Sequence, residues 1–458
     1  MKRDQLGLTT LSMLVVAAMI GFGVFTSSGF ALAELGNPRR VLLAWLLCGV
    51  WALAGAVAYG ALIKRIPLSG GEYLFLSRLM HPSVGFLAGW ISLVAGFTAP
   101  IAAASKAVVA YGFPSVSSPL TANGIATLII VVACLCNAAH LGVGAIAQNS
   151  IVVIKLIFIA CLLAWAFLVS PSQAWQGGPL PGRDTGMVPS NSQAWITLWA
   201  SMSWIALSYT GFNAAVYVAG ESRSAQRNVP RAMIWATLLV TVIYLLLNII
   251  FVGAPRAEDV VATDASKAAI AAAATRALGG TPMETLTRAI IALAVLSSVF
   301  GMLLAGPRVY VQMARDGVMP RFLKSISEVS GWAVIMQAGL SIAVVWLASL
   351  NEIIGYLGMT LSACSALAVA AIWRLNRSPE SQAATRANPV NLLEHGAALL
   401  YISGTLVMLA AVLIQGQRTN ELIAVTATFV VGLLLHFTWR QRSEKQSPVE
   451  HENLGQAS

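Results

Sequence analysis

Apolar residues in this chain gather into long runs separated by short polar segments. An α-helix needs roughly 20 apolar residues to cross the hydrocarbon core of a bilayer. Twelve runs qualify, near residues 7–35, 41–63, 84–110, 122–138, 144–169, 193–219, 232–252, 285–313, 332–349, 353–374, 397–414 and 421–438. The pattern predicts an all-α polytopic membrane protein with twelve transmembrane helices. The first run follows Met-Lys-Arg and superficially resembles a secretory signal. It continues past Phe30 without a distinct small-residue cleavage site and leads into further spans, so it reads as the first transmembrane helix.

Two runs are interrupted at similar depth. Span 1 contains Ile20-Gly21-Phe22-Gly23-Val24-Phe25, and span 6 contains Ser208-Tyr209-Thr210-Gly211-Phe212-Asn213. Glycine inside a helix costs about 1 kcal/mol relative to alanine. One such pair alone is best read as close packing through small residues. Interruptions at corresponding places in two halves of a membrane protein point instead to a transporter's binding site. A broken helix leaves orphan N–H groups at the start of one half and orphan C=O groups at the end of the other. No water is freely available in the bilayer core, so these groups must line a cavity or bind something. The N–H ends suit a carboxylate, and the C=O ends suit an ammonium group. Together they match the zwitterionic head of an α-amino acid. The candidate substrate residues are Ile20, Gly21, Phe22, Gly23 and Val24 in span 1, with Tyr209, Thr210, Gly211, Phe212 and Asn213 in span 6.

Composition narrows the class. Only 10% of residues are charged, 57% are hydrophobic, and the mean hydropathy is +0.76. A soluble domain carries about 25% charged residues, so this chain requires lipid as its solvent. The net charge of +10 forms no continuous stripe, which argues against a nucleic-acid partner. With both termini inside, 18 Lys and Arg residues fall in inner segments and 8 in outer ones. That bias favours cytoplasmic termini in a cell membrane, plasma or inner, despite the outer pair Arg39–Arg40. The longest outer loops, near 170–192 and 253–284, are too short for a core of their own. The expectation is a single transmembrane domain over 1–439 and a disordered cytoplasmic tail over 440–458.

Catalytic chemistry finds little support. The spans hold almost no Asp, Glu or His, so an embedded enzyme is disfavoured. A phosphate-binding Gly-x-x-x-x-Gly-Lys loop is absent, which argues against a primary pump. His81, His140 and His395 lie in loops without metal-ligand spacing, and His436 is read as packing or interfacial. Cys48, Cys134, Cys136, Cys161 and Cys364 all fall in apolar runs and are read as buried free thiols. The expectation is no metal and no cofactor.

Four stretches carry a likeness to a known family. They are the span 1 interruption; Pro67-Leu68-Ser69-Gly70-Gly71-Glu72-Tyr73 followed by Gly85-Phe86-Leu87-Ala88-Gly89-Trp90; Gly220-Glu221 through Asn228-Val229-Pro230-Arg231-Ala232; and Ala314-Arg315-Asp316-Gly317-Val318-Met319-Pro320. In order and spacing, over roughly residues 6–375, the chain resembles the amino acid–polyamine–organocation permease superfamily. The resemblance implies a LeuT-like five-plus-five inverted repeat with broken helices 1 and 6. The repeats would lie near 6–169 and 193–375, with two extra helices at 397–438. One departure is Phe22, where many relatives place a small polar residue.

Lys155 lies about eleven residues, or roughly 16 Å of helix, from the inner end of span 5, too deep for easy snorkelling. The resemblance places it where distant members of the fold hold a sodium ion. Its ammonium would then bridge carbonyls of the span 1 break and a span 8 hydroxyl, Ser297 or Ser298. A structural lysine paired with backbone is the alternative, and a buried amine is also a candidate proton carrier. Lys106, nearer the outer end of span 3, is read as snorkelling. Glu221 is read as a partner for nearby arginines at the inner gate.

The resemblance and the residues together imply a sodium-independent secondary transporter of amino acids, either a proton symporter or an exchanger. Neither break holds an acidic side chain, which favours a neutral substrate, with Phe22, Phe97, Tyr209 and Phe212 as an aromatic wall. The alternatives are a polyamine or cationic amino acid carrier and a transport-dead sensor. Some relatives are linked by a disulfide to an accessory subunit through the outer span 3–4 loop. Here that loop, Tyr111 to Thr121, has no cysteine, so no such subunit is expected.

Overall fold

Backbone groups in hydrocarbon have no water partner, and helices satisfy them within one segment. In the computed structural model, residues 6–454 are described except 117, 139–144, 169–171, 316–330 and 378. The predicted inner segment with Arg321 and Lys324, the terminal Lys2 and Arg3, and the motif residues Asp316 to Pro320 lie outside that set.

The chain opens with α1 (Leu8–Met19) and α2 (Gly23–Leu35), bent by 43° at their junction. Gly36 ends α2 with φ +65°, a conformation that glycine adopts without strain. The side chain of Asn37 then accepts from Arg39 N–H and caps α3 (Pro38–Arg65), with Pro38 at the first helical position. A short α4 (Gly71–Leu79) leads to α5 (Pro82–Ile91) and α6 (Ala99–Gly112). These two are joined through a π-helical turn, Ser92–Thr98, beside Pro100, which has no N–H to give. Next come α7 (Pro119–Ala138), α8 (Ala145–Leu168) and α9 (Ser192–Tyr209). After α9 the chain turns into a 3₁₀ segment, Ala214–Glu221, before α10 (Ala225–Gly253). Short helices α11 (Ala257–Val261) and α12 (Asp264–Ala268) precede α13 (Ile270–Arg315), which is kinked at Gly279 and Gly280. The rest are α14 (Gly331–Leu347), α15 (Leu350–Ala370), α16 (Pro379–Ala387), α17 (Leu392–Gln415) and α18 (Thr419–Leu454).

Among the described residues, eight helices are long and apolar enough to cross a membrane, and the bent α1–α2 pair makes a ninth candidate. The other runs, 144–169, 193–219 and 332–349, coincide with α8, with α9 and the segment after it, and with α14; Val153–Leu168 of α8 and α14 are shorter apolar helices. The backbone of α18 continues as helix through residues 440–454, where the polar composition predicts a disordered tail.

Burial separates centre from rim. The apolar windows of α3 and α15 are 61% and 72% buried, whereas those of α7 and α18 are 22% and 17% buried. Rim helices present Leu128, Leu135, Leu434 and Phe437 outward, which suits lipid contact. At the centre α3 runs along α10, α1 packs on α10, and α2 packs on α9. Trp45, Tyr209 and Tyr244 join these helices, with ring centroids 5.2–5.7 Å apart. Two buried ion pairs tie helices together: Arg65 meets Glu394 at 3.0 Å, joining α3 to α17, and Arg418 meets Glu34 while stacking 3.7 Å over the Trp204 ring.

Candidate functional site

The span 1 break is built from a helix that closes early. Ile20 N–H returns to Val16 O at 3.0 Å, and Gly21 N–H turns onto Met19 O at 2.8 Å. Beyond it α2 starts afresh. Among the described residues, the N–H groups of Phe22, Gly23 and Val24 meet no acceptor, although all three residues are buried. Buried backbone donors are rarely left unpaired.

The carbonyl side of the break is closed differently. Ile20 O accepts from Lys155 Nζ, whose side chain is buried. The Tyr244 hydroxyl lies 2.6 Å from Met19 O and 2.9 Å from Ser208 O, so one hydroxyl serves carbonyls of both breaks. Ser27 Oγ adds a bond to Trp204 O at 2.9 Å.

The two breaks touch. A Cβ on Gly23 would lie 2.6 Å from Ser208 Oγ, and a Cβ on Gly211 would lie 2.9 Å from the backbone of Ala18. Gly211 also has φ +97°, which a side chain would strain. Thr210 N–H and Oγ1 both return to the last turn of α9, Oγ1 at 2.6 Å from Leu207 O. Tyr209 is fully buried and donates to Trp45 O at 3.0 Å. Phe212 packs edge-on against Tyr59 at 5.5 Å, and Asn213 Nδ2 reaches Glu72 Oε1 at 3.1 Å.

The structure therefore brings Ile20, Gly23, Lys155, Ser208 and Gly211 into one region. Other expected groups make different contacts. Ser297 and Ser298 both donate to Ala294 O on their own helix, and neither bonds to Lys155 among the described residues. A serine within a helix can satisfy its hydroxyl on the carbonyl one turn back. Glu221 is exposed and forms no ion pair among the described residues; its backbone carbonyl instead receives Leu6 N–H at 2.8 Å. Phe97 packs on Tyr310 in a separate cluster and does not join Phe22, Tyr209 and Phe212. Lys106 is held by Asn123 Oδ1 at 2.7 Å. A cavity of about 740 Å³ lies away from the breaks, among Glu34, Trp204, Glu352 and Arg418. No group of three or more His, Cys, Asp or Glu among the described residues could hold a metal ion.

Sequence reasoning missed Glu72 and Tyr244. Glu72 sits inside the quoted Gly-Gly-Glu-Tyr motif, which was a signal, but it falls between predicted spans and reads as loop. In the structure it is buried and accepts from Tyr59 and Ser365, both at 2.6 Å, as well as from Asn213. Tyr244 carried no signal beyond being a polar-tipped residue in an apolar run.

Comparison with known proteins bears on the chain as a whole. Residues 6–435 match the family described as amino acid permease. The serine/threonine exchanger SteT of Bacillus subtilis (strain 168) is 29% identical over 341 residues, covering 71% of this chain and 72% of that protein. The b(0,+)-type amino acid transporter 1 of Mus musculus is 27% identical, covering 54% of this chain and 51% of that protein. The large neutral amino acids transporter small subunit 2 of Rattus norvegicus is 26% identical, covering 71% of this chain and 60% of that protein. The chain thus spans between half and two thirds of the two mammalian relatives. These relatives are transporters and not enzymes, and a helical membrane protein matched over almost its whole length belongs to the amino acid permease family.

Proposed function

We propose that the chain is a sodium-independent secondary transporter of neutral amino acids, working by alternating access as a proton symporter or an exchanger. The carrying observation is the row of unpaired N–H groups at Phe22, Gly23 and Val24, opening a helix beside the span 6 break. A helix N-terminus of this kind takes an anion, and the α-carboxylate is the anion every amino acid shares. Lys155 on Ile20 O supports sodium independence, since a fixed ammonium occupies a carbonyl that a metal ion would otherwise need. The serine/threonine exchanger among the relatives supports a small neutral substrate.

In this reading the molecule is one transmembrane domain of twelve spans with a five-plus-five inverted repeat over 6–169 and 193–375. Helices 397–438 are additional. It sits in the cell membrane with both termini in the cytoplasm. The test is reconstitution into liposomes with a panel of labelled amino acids, with sodium or choline outside, and with or without a pH gradient. Neutral substrates should enter at the same rate in choline. Uptake confined to lysine, arginine or polyamines, or lost in choline, would overturn it.

A further inference from the structure

Glu72 opens the first turn of α4, and its Oε1 is surrounded by donors from three other elements. Tyr59 OH of α3 and Ser365 Oγ of α15 lie at 2.6 Å, and Asn213 Nδ2 of the span 6 break lies at 3.1 Å. Cys364 Sγ lies 3.5 Å from Oε2. Among the described residues it has no cationic partner within 4.0 Å. A buried carboxyl without a countercharge is costly, and its donors and the α4 N-terminus offset only part of that cost.

The chemistry of the pair has a consequence for Asn213. An amide can present either its oxygen or its NH₂ to a neighbour, but Oε1, which already receives the Tyr59 and Ser365 hydroxyls, acts as an acceptor. Facing Glu72, the Asn213 amide must turn its nitrogen inward, which leaves Oδ1 on the opposite side. No described residue donates to that oxygen, and it caps no helix. Asn213 also stands directly after Phe212 in the break itself.

We infer that Glu72 is a positioning residue that fixes the Asn213 amide with its oxygen toward the substrate, as an acceptor for the substrate's ammonium group. The inference rests on the reading of the two breaks as the amino acid site. The test exchanges donor and acceptor between the two positions, with uptake kinetics in proteoliposomes at pH 8. Asn213→Asp alone sets two carboxylates face to face, and KM should rise about tenfold or more, the scale of one hydrogen bond, with kcat less affected. Adding Glu72→Gln restores the polarity. With NH₂ in place of Oε1, the amide donates one hydrogen to an oxygen of the introduced aspartate and the other to a neighbouring hydroxyl, Tyr59 or Ser365, turned to accept, while the second aspartate oxygen faces the substrate. KM should return to within about threefold of wild type, a factor well below one hydrogen bond. A wild-type KM for Asn213→Asp overturns the inference, as does a double variant that misfolds or binds no better than the single one. A purely structural role would change the yield and thermal stability of these variants and leave KM alone. Asn213→Ala separates the two claims: an unchanged KM there contradicts the site itself, whereas a raised KM without rescue in the exchange contradicts only the role of Glu72.

Discussion

Gly23 is where a single side chain would do most harm. Any Cβ there meets Ser208 Oγ at 2.6 Å, and a larger group would cover the unpaired N–H groups of Phe22 and Val24. Gly23→Leu should therefore insert and fold but lose substrate binding, read as no ligand-induced thermal shift. Normal affinity would reduce the break to a packing device. Asp184 makes a different point at the same scale. It holds Arg40 at 2.6 Å, and Asn37 bonds to its carbonyl at 2.7 Å, tying its loop to the α2–α3 corner. The Gly186 N–H, with Ser190 and Arg40, holds its carboxyl below the usual 3.8. A depressed carboxyl contributes stability above its unfolded pKa and loses it as pH falls through the folded one. The stability gap between wild type and Asp184→Asn should be flat from pH 7 to about 4 and close below it. A gap unchanged at pH 3 would show that the contact does not depend on charge.

At the scale of elements, the broken helices depend on hydroxyls supplied by their neighbours. Tyr244 of α10 serves Met19 O of α1 and Ser208 O of α9 with one hydroxyl. Tyr244→Phe leaves both carbonyls short, and about 1–3 kcal/mol of stability should be lost. Thermal unfolding in detergent checks this, and an unchanged midpoint would mean that the carbonyls find other donors. The positions of the breaks were legible in the sequence because Gly, Thr and Asn mid-span are chemically conspicuous. What closes the breaks was not. Tyr244 looks like any residue of its run, and Glu72 lies in a stretch whose polarity reads as loop but which folds back as α4 into the core. The partners of Ser297 and Ser298 were not legible, because a run of residues gives depth but not rotation about the helix, and both hydroxyls turn onto Ala294 O. The kink inside α13, at Gly279 and Gly280, was likewise not legible from the sequence.

At the scale of the whole molecule, Lys155 joins α8 to the end of α1, two elements that would part and rejoin under the alternating access proposed above. Lys155→Ala removes the donor from Ile20 O, so the population should shift toward the inward-open state. Uptake should fall and a cysteine introduced on the inner pathway should label faster; if the lysine also exchanges a proton, the dependence of uptake on external pH should flatten. Wild-type uptake with unchanged labelling would leave Lys155 a passive structural residue. The central claim is that the span 1 break binds the substrate's carboxylate, and the most direct measurement is competition against uptake of a neutral amino acid in proteoliposomes. The competitors are the same amino acid, its methyl ester and its decarboxylated amine, which keep the side chain and ammonium but differ at the carboxylate. The free amino acid alone should compete, with the ester and the amine weaker by about tenfold or more, since each loses charge-assisted bonds to the N–H groups. Equal competition by all three would contradict the account.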